Sequence, residues 1–127
     1  MQRIEKTVFI SYRHSDQPWA QLISDDLTHN GFDVFVGLHS LRSGDFEGEI
    51  LDEIRSRAHF LVLLTPTALE RCKDPCDLMR REIQCAFLHR RNVVPVMLNG
   101  FSCSAPGIQE ELGTWLSPLE RYKGVVV

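Results

Sequence analysis

The chain has 127 residues, of which 43% are hydrophobic and 24% are charged. This length and balance are typical of one globular domain with its own apolar core, and they exclude a disordered chain. The formal net charge is −3, whereas a protein that gains its affinity from nucleic-acid phosphates is usually basic. We therefore expect no nucleic-acid partner.

No apolar run approaches the ~20 residues that a membrane-spanning helix needs. Residues 1–7 are polar, and the apolar stretch after them is too short for the core of a signal peptide. The domain is therefore predicted to be cytoplasmic, to make no membrane contact and to keep its cysteines reduced. Cys72, Cys76, Cys85 and His89 match no common zinc-ligand spacing, so no metal site is predicted.

Short β-rich runs alternate with helical patterns, which predicts a mostly parallel sheet with helices on both faces. Residues 8–10 predict the first strand and residues 11–16 a polar loop. Ser15 or Asp16 is suited to cap the helix that follows, and Gly31 to end it. Its inward stripe is predicted to consist of Trp19, Leu22, Ile23 and Leu27.

Residues 34–36 predict the second strand, and residues 37–44 a loop with a glycine at each end. The next helix has an apolar stripe made of Phe46, Ile50, Leu51 and Ile54. Residues 60–64 form a continuous apolar run, which favours a central strand buried on both faces.

Residues 69–75 are predicted to be irregular, and Asp77 is suited to cap the next helix. The inward face of that helix is predicted to be Met79, Ile83, Ala86 and Phe87. The fourth strand follows at residues 93–98, then a short helix with Ile108, Leu112 and Leu116, and a fifth strand at residues 125–127. A last strand without a covering helix would expose apolar surface. We therefore expect a single domain over residues 1–127 that is a fragment of a longer protein and lacks its last helix.

Several nucleotide and hydrolase motifs are absent from the sequence. It has no GxGxxG after the first strand, no Walker lysine loop and no GxSxG turn. Ser11, His14 and Asp16 have the side chains of a hydrolase triad, but they lie within six residues of one loop. Side chains that close in sequence rarely hold triad geometry, so a triad is not predicted.

Six segments in chain order carry a family resemblance: residues 8–12, 31–35, 41–46, 60–66, 77–83 and 92–96. Together they resemble the TIR (Toll/interleukin-1 receptor) domain, in particular its first strand, its glycine-containing BB loop and its tryptophan-x-x-x-glutamate helix start. The six segments are most similar to those of the NAD-cleaving branch, which includes bacterial defence proteins and the animal axon-degeneration NAD hydrolase. The resemblance implies a flavodoxin-like α/β fold with a five-stranded parallel sheet of order 2-1-3-4-5. It also implies a ligand crevice at the carboxyl ends of the strands.

The resemblance implies an NAD glycohydrolase that releases nicotinamide and linear or cyclic ADP-ribose in defence or cell-death signalling. NAD is then the substrate, and no cofactor is expected. Nicotinamide leaves a pyridinium cation as a neutral base, so no general acid is needed and one carboxylate can stabilise the oxocarbenium charge. Glu82 matches the family's catalytic glutamate. From physics alone, a solvated helix glutamate beside Arg80 and Arg81 is the alternative.

Other positions match the family's substrate site. Tyr12, Arg13 and His14 follow the first strand, where Arg13 is suited to meet a pyrophosphate and Tyr12 to pack on a ring. Phe46 matches an aromatic beside the base, although core packing also explains it. Gly44 is expected to let the loop turn. Leu78 stands where the family usually has tryptophan, and Gly37 stands where aspartate is common.

These two departures keep a second hypothesis open, namely a non-catalytic adaptor that acts by TIR–TIR self-association. Its contact surface would be the BB loop, with Leu41, Arg42, Ser43 and Asp45. Other TIR domains are expected partners under both hypotheses, because the family's BB loop helps to complete the site of a neighbouring copy. A phospho-receiver is not supported, since residues 11–13 hold no acidic cluster.

Overall fold

The structure is a computed structural model and describes residues 4–36 and 46–127. Within these residues the strands are β1 (Thr7–Ser11), β2 (Asp33–Val36), β3 (His59–Leu64), β4 (Asn92–Met97) and β5 (Val125–Val126). The α-helices are α1 (Gln17–His29), α2 (Phe46–Ser56), α3 (Leu78–Leu88) and α4 (Pro106–Leu112). Short 3₁₀ helices occupy Ile4–Lys6, His14–Asp16, Glu70–Lys73 and Ser117–Arg121.

The five strands form one parallel sheet of order β2-β1-β3-β4-β5, which confirms the predicted topology. β1 therefore lies between β2 and β3, with Phe9 opposite Phe35 on one side and Phe60 on the other. These three rings stack with centroid separations of 5.3 and 5.5 Å. The chain order reverses at β1, and open α/β sheets place ligands outside the carboxyl ends of the strands at such a point.

The core has two layers because successive strand residues face opposite sides of the sheet. On one side Phe9 and Phe60 pack with buried residues of α2 and α3, among them Ile50, Ile54 and Ile83. On the other side, Val8, Ile10, Tyr12, Leu63 and Leu98 pack with Ala20 of α1. α2 and α3 thus cover the face that Phe9 and Ser11 share.

Two expectations about α1 were wrong. Leu22 was predicted to face the core but is 65% exposed, and Ala20 is fully buried in the same helix. Asp16 lies at the N-cap position, yet its side chain makes no capping hydrogen bond. It accepts a hydrogen bond from Thr65 Oγ1 at 2.9 Å, which ties the start of α1 to the end of β3. The predicted helix end is confirmed, since Gly31 has a φ of +90°.

The remaining elements largely follow the sequence pattern. Residues 70–73 form a 3₁₀ helix where irregular chain was predicted, and α4 ends at Leu112, before the predicted Leu116. β5 is present but short, and Val125 and Val126 are exposed. The predicted loop at residues 37–44 lies outside the described residues. None of the helices that the structure describes is long and apolar enough to cross a membrane.

Two glycine substitutions test the backbone assignments in opposite directions. We expect Gly31→Ala to destabilise the domain by about 1 kcal/mol, because an L residue at this left-handed position is strained even though its Cβ would be 3.9 Å from Lys6 Nζ. Gly48→Ala is expected to stabilise it by about 0.5–1 kcal/mol, since Gly48 lies in α2 and an alanine methyl there would have nothing within 4 Å. Urea unfolding of both variants measures the two effects, and shifts of the same sign would contradict the assignment.

Candidate functional site

The candidate site lies where β1 ends against the first turns of α3. Ser11 is the last residue of β1, and Glu82 is the fifth residue of α3. α3 begins at Leu78 because Asp77 caps it, as predicted: its carboxylate accepts a hydrogen bond from the Arg80 amide at 3.1 Å. The cap fixes the helix start and thereby the height of Glu82 above the sheet edge.

Glu82 points into the protein and is 0% exposed. Ser11 Oγ, which is equally buried, donates a 2.7 Å hydrogen bond to Glu82 Oε1. Met79 and Ile83 occupy the same buried face of the helix. The alternative of a solvated glutamate on the helix surface is therefore wrong.

Burial dominates the electrostatics of this carboxyl group. Burial raises the pKa of Glu82 to about 8. The hydrogen bond from Ser11 and the positive charge of Arg13 oppose this rise, and the negative charge of Asp77 adds to it. A carboxyl group with this pKa carries its proton at pH 7 as long as it stays buried. Glu82 does not line the polar cavity of about 350 Å³ that lies beside Arg13.

Tyr12 lies close to Glu82 but belongs to the opposite core layer. Its ring is buried beside Ile10 and Ala20 rather than presented to solvent. Burial raises the pKa of the Tyr12 hydroxyl, and the negative charge of Glu82 adds to the effect. The predicted packing of Tyr12 on a substrate ring stays a prediction.

Arg13 is held by protein groups. Its Nε donates to the Ala68 carbonyl at 2.7 Å, and its two terminal nitrogens donate to the two carboxylate oxygens of Asp77 at 2.8 Å each. Cys72 Sγ accepts a further hydrogen bond at 3.2 Å. The predicted contact of Arg13 with a pyrophosphate stays a prediction, and in this structure the guanidinium joins the exit of β1 to the cap of α3.

The ion pair is reflected in the pKa values of both partners. Burial alone would raise the pKa of Asp77, but the hydrogen bonds from Arg13 and from the Arg80 amide outweigh it and lower that pKa. For Arg13, burial would lower the pKa, and Asp77 and Cys72 outweigh it. Burial also raises the pKa of Cys72 to about 12, so this thiol is protonated.

His14 lies at the exposed rim of a cavity of about 350 Å³. The cavity is lined by Arg13, His14, Ser15, Thr67, Glu70 and Arg71. It is polar and opens at the carboxyl edge of the sheet, next to the Arg13–Asp77 pair. Ser11, His14 and Asp16 form no triad, because Ser11 bonds Glu82 and Asp16 is bonded by Thr65.

The structure describes some of the other predicted site residues only in part or not at all. Leu78 is half-buried and packs against the apolar core beside α3. Phe46 is the first residue of α2, and its side-chain position lies outside what the structure describes. The remaining predicted loop residues also lie outside the described residues: Gly37, Leu41, Arg42, Ser43, Gly44 and Asp45.

Sequence reasoning missed Ser11 as a partner of Glu82 and Arg13 as a partner of Asp77. The alternation of β1 contained part of the signal. Phe9 lies in the predicted first strand, and Ser11, two positions later, faces the same side of the sheet. Arg80, which the solvated alternative placed beside Glu82, lies instead over the Trp115 ring at 4.8 Å and donates to the Cys72 carbonyl at 3.0 Å.

A parallel sheet that reverses at β1, with polar groups at its carboxyl edge, defines a flavodoxin-like α/β domain. A family model described as TIR domain matches residues 8–120. The chain belongs to the TIR domain family.

Individual comparisons agree with that assignment. NAD(+) hydrolase tir-1 of Caenorhabditis elegans is 34% identical over 122 residues, which cover 93% of this chain and 12% of the relative. NAD(+) hydrolase sarm1 of Drosophila melanogaster is 37% identical over 94 residues, covering 71% of this chain and 7% of the relative. The TIR domain of the Toll-related receptor TRR-2 from Hydra magnipapillata superposes with a TM-score of 0.59 at 17% identity, covering 90% of this chain and 94% of that one. The chain thus spans a small part of these two hydrolases and nearly all of the receptor domain.

The buried carboxyl group predicts a pH-dependent stability difference between the wild type and Glu82→Gln. Between pH ~4.3 and ~8 the native state holds a proton that the unfolded chain has lost, so stability falls as pH rises through this window. Glutamine does not titrate and can still accept the Ser11 hydrogen bond. From pH 5 to pH 8 we expect the wild type to lose on the order of 3 kcal/mol relative to Glu82→Gln.

Urea unfolding at both pH values measures this difference, and all other titrating groups cancel in the comparison. An equal difference at pH 5 and pH 8 would show that the native carboxyl group is already ionised at pH 5.

Proposed function

We propose that this domain hydrolyses NAD at the bond between nicotinamide and ribose, with Glu82 as the catalytic residue. One observation carries the proposal. Glu82, which by resemblance matches the catalytic glutamate of NAD-cleaving TIR domains, is buried at the carboxyl edge of the sheet and bonded to Ser11. A glutamate that served only as a solvated surface residue would not be buried there. Both hydrolase relatives are named for cleavage of NAD.

A buried carboxylate suits this reaction. As the bond breaks, positive charge grows at ribose C1′ while nicotinamide leaves as a neutral base. A carboxylate beside that carbon stabilises the charge, and it does so more strongly in a site that excludes water. Water then adds to C1′ and loses a proton, which yields ADP-ribose; attack by a group of the same ADP-ribose in place of water yields a cyclic product. No resident cofactor enters this scheme.

The other substrate contacts are proposed from position. His14 borders the polar cavity of about 350 Å³, where it and Arg71 are suited to meet the negative phosphates. Tyr12, Leu78 and Phe46 are proposed to border the base or the nicotinamide ring. Gly44 is proposed to let the chain turn between β2 and α2.

Glu82 is sealed in the described part of the structure, so the site has to open before NAD can enter. We propose that self-association does this, with the BB loop residues Leu41, Arg42, Ser43 and Asp45 of one copy acting on the site of the next. The setting in defence or cell-death signalling, and a cytoplasmic location, are part of the same proposal.

The sealed carboxyl group also supports a second candidate function, a non-catalytic adaptor. Glu82 is 0% exposed, the polar cavity beside Arg13 does not reach it, and Leu78 cannot stack on a base as an indole does. In an adaptor Glu82 would serve only the structure, and self-association would be the whole function.

Substitution of Glu82 distinguishes the two functions. Concentrated wild-type protein is incubated with NAD, and nicotinamide is measured by chromatography. We expect Glu82→Gln to release nicotinamide at least about 100-fold more slowly, because the charge that stabilises the transition state is gone. Glu110→Gln, at an exposed carboxylate of α4, is the matched control and is expected to retain activity. Equal release by wild type and Glu82→Gln would leave the adaptor as the function.

The raised pKa of Glu82 predicts how the rate depends on pH. If the anion is the active form, the active fraction of free protein grows about tenfold per pH unit below pH 8 and then levels off. We therefore expect kcat/KM for nicotinamide release to rise steeply from pH 6 to pH 8. A flat profile over that range would contradict a protonated resting carboxyl group.

A further inference from the structure

The exit of β1 is fastened to α3 at two points. Ser11 bonds Glu82, and Arg13 bonds Asp77. Arg13 has an extended backbone, with φ −79° and ψ 148°, so the alternation of β1 continues past the strand end and both side chains face α3. The two partners on α3 are its N-cap and its fifth residue.

The second attachment is the more rigid one. A guanidinium fork that meets both oxygens of a carboxylate fixes orientation as well as distance. Arg13 and Asp77 are largely buried, with side chains 15% and 11% exposed. Two further N–H groups of Arg13 donate to the Ala68 carbonyl and to Cys72 Sγ, and the Asp77 carboxylate also accepts a hydrogen bond from the Arg80 amide. Little of the guanidinium is therefore left to meet a ligand.

We propose that the Arg13–Asp77 ion pair is a positioning pair, which sets the depth of α3 and so holds Glu82 against Ser11 at the reaction site. This rests on the proposed NAD cleavage and adds Asp77 to the residues on which that activity depends. It also gives Arg13 a role other than binding the pyrophosphate. The pair is neutral as a whole, so an incoming phosphate finds no net positive charge there unless Asp77 leaves.

Steady-state kinetics separates positioning from substrate binding. Asp77→Ser keeps an N-cap oxygen but removes the carboxylate fork, and Arg13→Gln removes the guanidinium. A positioning pair predicts that each variant loses between about tenfold and 100-fold in kcat with KM nearly unchanged. It also predicts that the double variant is no worse than the poorer single variant. A raised KM with wild-type kcat for Arg13→Gln, together with a wild-type Asp77→Ser, would identify Arg13 as a phosphate ligand and overturn the proposal.

A matched control removes a similar arginine from the other edge of the sheet. Arg57 is as buried as Arg13 and bonds Glu53 at 2.9 Å and the Asp33 carbonyl at 2.8 Å, beside the amino end of β1. Arg57→Gln is expected to lower stability and to leave kcat unchanged. An equal loss of kcat in Arg57→Gln would mean that the effect of Arg13→Gln is general destabilisation, which also overturns the proposal.

Titration of Glu82 by NMR of its labelled carboxyl carbon tests the pair without any activity. As point charges alone, Asp77 raises the pKa of Glu82 and Arg13 lowers it, so their removal would shift that pKa in opposite directions. If the pair instead holds α3 against the end of β1, either substitution lets water reach Glu82 and lowers its pKa. Burial raises the pKa values of Tyr12 and Cys85, the other titratable groups beside Glu82, so both stay uncharged near pH 7.

The two readouts keep the proposals distinguishable. A wild-type protein that releases no nicotinamide at any concentration would refute NAD cleavage, and the titration would still decide whether the pair holds Glu82 in place. A lower pKa of Glu82 in both Arg13→Gln and Asp77→Ser, with no change in Arg57→Gln, supports the positioning role. Opposite shifts, or no shift, overturn it.

Discussion

The site depends on one fully buried carboxyl group, that of Glu82 bonded to Ser11. Taking a carboxylate out of water is so unfavourable that proteins usually place glutamate at the surface or neutralise it. An apolar residue of similar volume at this position would pack with Met79 and Ile83 without that cost. A domain that keeps the acid in its core therefore gives up stability at this point, and such sacrifices are concentrated at functional sites.

The topology explains why the acid lies where it does. β1 is an interior strand with β2 on one side and β3 on the other, and its carboxyl end lies at the point where the strand order reverses. α3 follows β3 and packs on the layer that Phe9 and Ser11 face. A residue one turn into α3 is thus brought over the end of β1, although Ser11 and Glu82 are 71 positions apart.

Local signals in the sequence were sufficient for most of the fold and for the start of α3. The apolar run at residues 60–64 and the cap at Asp77 depend only on near neighbours, and both were predicted. Leu22 was misplaced because helical spacing alone does not fix which stripe faces the sheet when a small residue such as Ala20 lies closest to it. Asp16, Arg13 and Ser11 each find partners 49 or more positions away, and one sequence gives no direct sign of such pairings.

The raised pKa and the proposed chemistry are compatible because the part of the proposed substrate that would meet Glu82 is a cation. The nicotinamide ring of NAD carries a positive charge, and a positive charge within a few ångströms favours the ionised form of a carboxyl group. Binding and ionisation are then coupled: NAD binds more tightly to the anion, and the anion is favoured more strongly when NAD is bound. Under the proposed NAD cleavage, a protonated Glu82 is compatible with burial in the resting domain, and the carboxylate needed beside C1′ forms when NAD binds. In this scheme nicotinamide leaves as a neutral base and water then adds to C1′, so no positive charge remains beside Glu82 and the carboxyl group regains its proton.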